Sequence, residues 1–305
     1  MIYTVTLNPS VDVFVNMDEI NLGKLNRSLG DKKIPGGKSV NVSRTLNNME
    51  IPTIATGFLG GFTGKFIKDY FDEKGINNTF INVKDDTRIN IKLLEKDRET
   101  LINGLGPKIE KEEFNDFLYY LSRVGEGDFV IMGGSIPVNA PDDIYDRITT
   151  ICVTNDAHFV LDIPANQTLT ALPKRPLLIL ETVEELEEMF DIKIKSVEDT
   201  IEAGQKCIEL GAKNILIPFE KKGALLITDY GVFRSFPIAG EVINTLSAKD
   251  AMLAAWIGTY MKRNDEVEAF KFASRAYAVT AFVDDLPTRE QVDSAAERIN
   301  VEQIR

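Results

Sequence analysis

The chain has 305 residues, 44% hydrophobic and 27% charged, with a formal net charge of −12. That length buries a sizeable core without staples, and the acidic balance argues against nonspecific nucleic-acid binding, which depends on clustered Lys and Arg. It does not exclude a small anionic ligand, because a local basic pocket can sit in an acidic surface.

The chain begins MIYTVTLNPS, a strand and a turn with no basic leader and no long apolar segment. The expectation is no signal peptide, no membrane span and a cytoplasmic location. FVNMDEINLGKLNRS reads as short strand-like pieces with polar interruptions. After IPGGKS, residues Val40, Val42, Leu46 and Met49 form a helical stripe. IATGFLGG predicts a buried strand, and TGKFIKDYFDEKG an amphipathic helix with Gly75 past its end.

TRINIKLLEKDRETLINGLG alternates apolar and polar residues around a charged turn and predicts an antiparallel hairpin. From EKEEFNDFLYYL onward, helix and strand patterns alternate. The strands are DFVIMGG, HFVLDI, PLLIL and NILIPF. That alternation implies a parallel sheet with right-handed crossovers. GALLITDYGVFRSFPI predicts a hairpin, followed by helical patterns over Lys249–Met261 and Val267–Phe282 and a final short one. There is no repeat and no long linker. The fold class expected is one α/β domain over residues 1–305 with a doubly wound, mostly parallel sheet flanked by helices. Inserted β-rich segments at about 12–32 and 86–105 form a lid over the carboxyl ends of the strands, where open α/β sheets bind ligands.

Cys152 and Cys207 lie on apolar and helical patterns and read as core thiols. His158, the single histidine, has no partner motif, so histidine-centred zinc or triad chemistry is disfavoured.

PGGKS, Pro35 to Ser39, is a glycine pair leading into a helix. Glycines admit a ligand close to the backbone, and a helix N-terminus favours an anion. A plain glycine turn fits as well, and the GxxxxGK[ST] spacing is absent. MGGSIP places small residues, including Ser135, at a strand end, as a ligand site or a tight turn would. Arg88 and Asn90 share one face of their strand; on a lid they would put a guanidinium and an amide over a phosphorylated ligand, and on a solvated sheet they mean little. Asp12 fits a hydroxyl-binding residue or a turn cap. In TVEELEEM most of Glu184, Glu185, Glu187 and Glu188 read as a solvated face, with one of them placed to hold hydrated Mg²⁺. Asp250 opens an apolar helix, as either a dipole-favoured acid or a general base.

In this order the motifs resemble the phosphofructokinase B branch of ribokinase-like sugar kinases, nearest to its 1-phosphofructokinase and tagatose-6-phosphate kinase members. The resemblance is carried nearly end to end by YTVTLNPSVD (Tyr3–Asp12), PGGKSVNVSR (Pro35–Arg44), ATGFLGGFTGKFI (Ala55–Ile67), TRINIK (Thr87–Lys92), GGSIP (Gly133–Pro137) and NTLSAKDAM (Asn244–Met252). It implies a ribokinase-like fold with a β-clasp lid that often makes a homodimer, and Mg²⁺-dependent transfer of the ATP γ-phosphate to a ketohexose phosphate, fructose 1-phosphate or tagatose 6-phosphate. It implies that Asp12, Gly36, Gly37, Lys38, Asn41 and Ser135 bind the sugar, and that Arg88, Arg27, Lys24 and Asn90 hold its phosphate. Asp250 matches the family's catalytic base.

Departures from the family pattern concentrate on the nucleotide side. Gly-Ala-Gly-Asp becomes Ser247-Ala248-Lys249-Asp250, where the glycines let backbone N–H groups form an anion hole. Lys-Pro-Asn-x-x-Glu becomes Leu180-Glu181-Thr182-x-x-Glu185, which keeps the metal-side Glu185. A Ser-Leu-Gly stretch becomes Pro218-Phe219-Glu220, shortly before Gly223. Two functions follow. One is an ATP-dependent sugar-phosphate kinase. The other is a sugar-phosphate-binding or regulatory protein on a kinase fold.

Overall fold

The computed structural model of the chain describes residues 1–219, 223–240, 242 and 247–305. In chain order the strands are β1 (Ile2–Thr6), β2 (Ser10–Asn16), β3 (Gly30–Gly36), β4 (Ile54–Gly60), β5 (Asn77–Val83), β6 (Arg88–Leu94), β7 (Glu99–Asn103), β8 (Phe129–Gly133), β9 (His158–Asp162), β10 (Leu178–Leu180), β11 (Asn214–Phe219), β12 (Gly223–Thr228), β13 (Val232–Ser235) and β14 (Val301–Gln303). The helices are α1 (Lys38–Asn48), α2 (Gly61–Lys74), α3 (Lys111–Leu121), α4 (Ile144–Thr154), α5 (Ala165–Ala171), α6 (Val183–Phe190), α7 (Val197–Glu209), α8 (Ala248–Arg263), α9 (Glu266–Thr280) and α10 (Arg289–Ser294).

Ten strands form one sheet in the order β14-β13-β12-β11-β10-β9-β8-β1-β4-β5. Pairing is parallel from β11 to β5 and antiparallel from β11 out to β14. The apolar runs that lack period-2 alternation belong to strands covered on both faces. On β8, Val130 and Met132 enter the core under the α3–α7 side, while Phe129 and Ile131 enter the core shared with α1, α8 and α9. Phe58 anchors the first core, with its ring centroid 5.1 Å from those of Phe114 and Phe117. Trp256, fully buried on α8, stacks on Tyr260 in the second. Burial of each such side chain contributes ~1.5–3 kcal/mol.

The β-rich segments pair with each other into a second sheet, β3-β2-β6-β7. β2 and β6 run parallel, in a register that sets Ser10 beside Arg88 and Asp12 beside Asn90. A third apolar cluster, with Val11, Val40, Leu59 and Phe71, ties this sheet to α1 and α2.

The structure differs from the sequence reading in places. Strand β2 stops at Asn16, and residues 17–29 carry no strand; Gly23 turns there at φ 73°. β5, α5 and β14 carry no clear periodic signal, because the first and last are edge strands and α5 spans seven residues. Cys152 and Cys207 are buried free thiols, as expected of core residues. Among the described residues no helix is long and apolar enough to cross a membrane.

Candidate active site

The carboxyl ends of β9 and β10 and the N-termini of α1, α6 and α8 meet at one place. Asp250 sits there in the first turn of α8 and is 6% exposed. Its Oδ2 accepts a hydrogen bond from Asn41 Nδ2 at 2.9 Å. The same amide nitrogen donates to Ser247 Oγ at 2.9 Å, so α1 is tied to both the base candidate and the turn before α8. Burial raises the Asp250 pKa to about 7, with the Asp162 charge adding to the rise; the Asn41 hydrogen bond and the Lys38 and Lys249 charges oppose it. A carboxyl poised near neutral pH suits a proton acceptor in catalysis.

Ser247 takes φ 61°, ψ 8°, the left-handed conformation that favours glycine. The turn is therefore made with a side chain where the family pattern has glycine. Ala248 is buried and Lys249 half-buried in the first turn that follows. The N–H groups of that turn have no partner within the helix, and together with the macrodipole they favour an anion.

Lys38 opens α1, just after Gly37, and its Nζ lies 2.6 Å from Asp162 Oδ1 and 3.9 Å from Glu185 Oε1. Burial works against the ammonium charge, but Asp162 and Glu185 more than offset it and hold the Lys38 pKa above its ordinary value. Thr182 caps α6 in a reciprocal box: Glu185 N donates to Thr182 Oγ1 at 3.1 Å and Thr182 N donates to Glu185 Oε2 at 2.7 Å. Glu181 is 0% exposed, and only the Thr168 hydroxyl works against the burial of its carboxyl group through a hydrogen bond. Burial, reinforced by the nearby Glu185 charge, pushes its pKa well above the ordinary carboxyl value.

A second group lies on the small sheet. Asp12 Oδ1 accepts from Ser10 Oγ at 2.7 Å and from Asn90 Nδ2 at 2.9 Å. Its Oδ2 pairs with Lys92 Nζ at 2.9 Å. Arg88 Nη1 donates to Gly104 O at 3.2 Å, while its Nε is buried without a partner. An open cleft of about 400 Å³ beside it is lined by Thr63, Thr87, Arg88, Gly104 and Gly106, among others. Gly36 ends β3 against Asp12: a Cβ there would come within 2.3 Å of Asp12 Oδ1.

The expected site residues thus divide by place. Lys38, Asn41, Glu185, Ser247 and Asp250 share hydrogen bonds, ion pairs or electrostatic interactions. Asp12, Asn90 and Gly36 form the second group, with Arg88 next to it. Ser135 is exposed and within 3.4 Å of Asn8 Nδ2. Lys24 and Arg27 are exposed in the loop after β2, and their side chains join neither group among the described residues. Gly223 opens β12 at φ 89°, packed on Ser235 O. Glu220 lies outside the described residues.

Two residues of these groups escaped the sequence reading. Asp162 is 1% exposed at the carboxyl end of β9, and the signal was an acid closing a buried parallel strand. Lys92 continues the Arg88–Asn90 face by period 2, but reads as a solvated hairpin lysine.

Mg²⁺ fits this donor set. Among the described residues no group of three or more His, Cys, Asp or Glu forms a metal cage, yet Mg²⁺ serving a nucleotide needs only one or two carboxylates beside the phosphates. Glu185 and the buried, unpartnered Oδ2 of Asp162 would supply them.

Residues 6–283 match the family model described as pfkB family carbohydrate kinase. The chain is 40% identical over 304 residues to a 1-phosphofructokinase of Bacillus subtilis, covering 100% of both chains. It is 34% identical over 302 residues to a D-tagatose-1-phosphate kinase of Bacillus licheniformis, covering 99% of each. Its fold superposes on phosphofructokinase-2 of Escherichia coli with a TM-score of 0.91 at 20% identity, over 97% of this chain and 98% of that one. The chain belongs to the pfkB family of carbohydrate kinases, and its ribokinase-like architecture is the one expected from its motifs.

Proposed function

We propose that this protein transfers the γ-phosphoryl group of ATP to a hydroxyl of a ketohexose phosphate, with Asp250 as general base. The observation that carries this reading is the place of Asp250: buried at the N-terminus of α8, titrating near neutral pH and held by the Asn41 amide. The hydroxyl oxygen of the sugar attacks the γ-phosphorus, its proton passes to an Asp250 carboxylate oxygen, and the bond from the γ-phosphorus to the β–γ bridging oxygen breaks to release ADP. The first-turn N–H groups of α8 face the charge that develops on the transferring group, and Lys38 binds the anionic sugar. Mg²⁺, when bound, neutralises charge on the nucleotide phosphates, with Glu185 and Asp162 as its protein partners.

On the acceptor side we assign sugar hydroxyls to Asp12, Asn41, Ser135 and the Gly36–Gly37 backbone. The acceptor's own phosphate falls to Arg88 and Asn90, and we add Lys24 and Arg27 from the exposed loop after β2 on the motif resemblance alone. On the donor side we assign ATP to Thr182, Gly223, Ser247, Ala248 and Lys249. Fructose 1-phosphate is the acceptor we favour over tagatose 6-phosphate, because the two curated relatives compared above are both named for ketohexose 1-phosphates. We place the protein in the cytoplasm, as the sequence reading expects. Ile89, Leu101 and Ile102 are exposed on the small sheet, and we assign that sheet to a homodimer contact.

A second reading, a sugar-phosphate-binding or regulatory protein without turnover, draws on Ser247 holding a glycine conformation and on Lys249 standing in the anion-binding turn. A coupled assay of ADP release with MgATP and a panel of ketohexose phosphates separates the two. Turnover abolished by Asp250→Asn supports the kinase. Saturable sugar-phosphate binding with no turnover for any acceptor supports the second reading.

A further inference from the structure

Arg44 lies one turn beyond Asn41 on α1 and is 4% exposed. Its guanidinium is engaged on three sides. Nη1 donates to Asn41 Oδ1 at 3.2 Å, Nη2 to Asp285 Oδ2 at 2.5 Å, and Nε to the Tyr70 hydroxyl at 3.3 Å. The Tyr70 ring centroid is 5.5 Å from the guanidinium carbon.

Guanidinium groups have only donors, and an ionised carboxylate has only acceptors. The Asn41 amide, held between Arg44 and Asp250, therefore has one consistent orientation. Its carbonyl faces Arg44, and its NH₂ faces Asp250 and Ser247. Turned over, it would set donor against donor at Arg44 and carbonyl against carboxylate at Asp250, and those two hydrogen bonds would be lost together.

We propose that Arg44 is a positioning residue for the base: it locks the Asn41 amide so that N–H donors stay on Asp250 and on the Ser247 turn, and Asp285 anchors it from the segment after α9. The proposal rests on Asp250 being the base. It assigns a role to two residues, Arg44 and Asp285, that touch neither substrate nor the reacting atoms. The hydrogen bond from Asn41 favours the charged form of Asp250 and so opposes the effect of burial. The other charges acting on Asp250 are Asp162 from β9, Lys38 from α1 and Lys249 from α8 itself. None of the three is bonded to Arg44, so an Arg44 substitution leaves their contacts in place.

The test uses two readouts. The first is the stability difference between the protein with Asp250 and with Asp250→Asn, followed against pH. Because the folded pKa of Asp250 is raised, that difference falls as pH rises and levels off above the folded value, whether or not the protein turns over. The second is the pH profile of kcat. We expect Arg44→Met to move the levelling point up by about one pH unit and to lower kcat at neutral pH by about tenfold, with the KM for ATP unchanged. In an Asn41→Ala background the same substitution should add little to either, because the amide through which it acts is gone. Asp285→Asn, which leaves Arg44 in place, should shift the midpoint in the same direction by less, and it serves if Arg44→Met does not fold. An equal shift with and without Asn41 would mean that Arg44 acts through its charge or through packing, and would overturn the proposal, as would no shift at all. A shift that depends on Asn41 in a protein that turns over no sugar phosphate would sustain the proposal for Arg44 while removing the kinase reading.

Discussion

Gly36 packs so closely on Asp12 that a Cβ at position 36 would meet all three carboxyl atoms of that side chain, at 2.3 to 2.7 Å. The contact joins the end of β3 to β2 and fixes where Asp12 sits beside Asn90 and Lys92. Gly36→Ala must push the carboxylate out of this arrangement. The expected result is a loss of sugar-phosphate affinity of roughly tenfold or more, the scale of one or two broken charge-assisted hydrogen bonds. Calorimetry with fructose 1-phosphate checks it, and unchanged affinity would remove Asp12 from the acceptor site.

Asp250→Asn should lower kcat by about 10²–10⁴-fold, the range for loss of a general base, with sugar-phosphate affinity nearly unchanged. The wild-type pH profile follows from the same residue. Asp250 must be ionised to accept the proton, and its pKa is raised to about 7. Activity should therefore rise through neutral pH and level off above it. A profile already flat from pH 5 upward would mean that this carboxylate does not limit turnover.

Lys249 contributes a positive charge that helps hold down the Asp250 pKa, so its influence reaches the base. In the proposed kinase its ammonium takes the place of anion-hole glycines as a point charge. Lys249→Gln should raise the KM for MgATP several-fold, on the order of 1 kcal/mol, and move the acid limb of the pH profile upward. If MgATP affinity instead improves, Lys249 obstructs the nucleotide rather than holding it.

Glu181 makes a stability prediction separate from catalysis. Its folded pKa is raised by burial and by Glu185. As pH climbs above the ordinary carboxyl value, the unfolded chain ionises while the folded one keeps its proton, so the folded state binds more protons and stability falls. This loss continues until the pH passes the raised folded value. Glu181→Gln has no such proton. Its Tm relative to wild type should rise as the pH climbs above the ordinary carboxyl value, and a constant gap would show that the fold does not raise the Glu181 pKa.

Much of this was legible because it is local. The buried strands announce themselves as apolar runs, and Pro35–Ser39 reads as a glycine turn entering a helix. The period-2 spacing of Arg88 and Asn90 puts them on one face, as the pairing with Ser10 and Asp12 confirms. Asp250 reads as the first acid of an apolar helix. What stayed hidden depends on long-range pairing. The parallel register of β2 and β6 joins residues 78 apart, and only that pairing turns Lys92 from a surface lysine into the partner of Asp12. The bond from Asn41 to Asp250 spans 209 positions. Glu181 stands in the sequence only as a departure from the family pattern, and nothing local announces that the fold buries it completely.

The central claim is that the turn at Ser247–Lys249 still accepts a nucleotide beside a bound sugar phosphate. The measurement that tests it most directly is calorimetric titration of MgATP into the protein, first alone and then saturated with fructose 1-phosphate. The account predicts saturable MgATP binding in both titrations, weakened by Lys249→Gln. Tight fructose 1-phosphate binding with no detectable heat of MgATP binding in either would contradict it and leave a sugar-phosphate receptor built on a kinase fold.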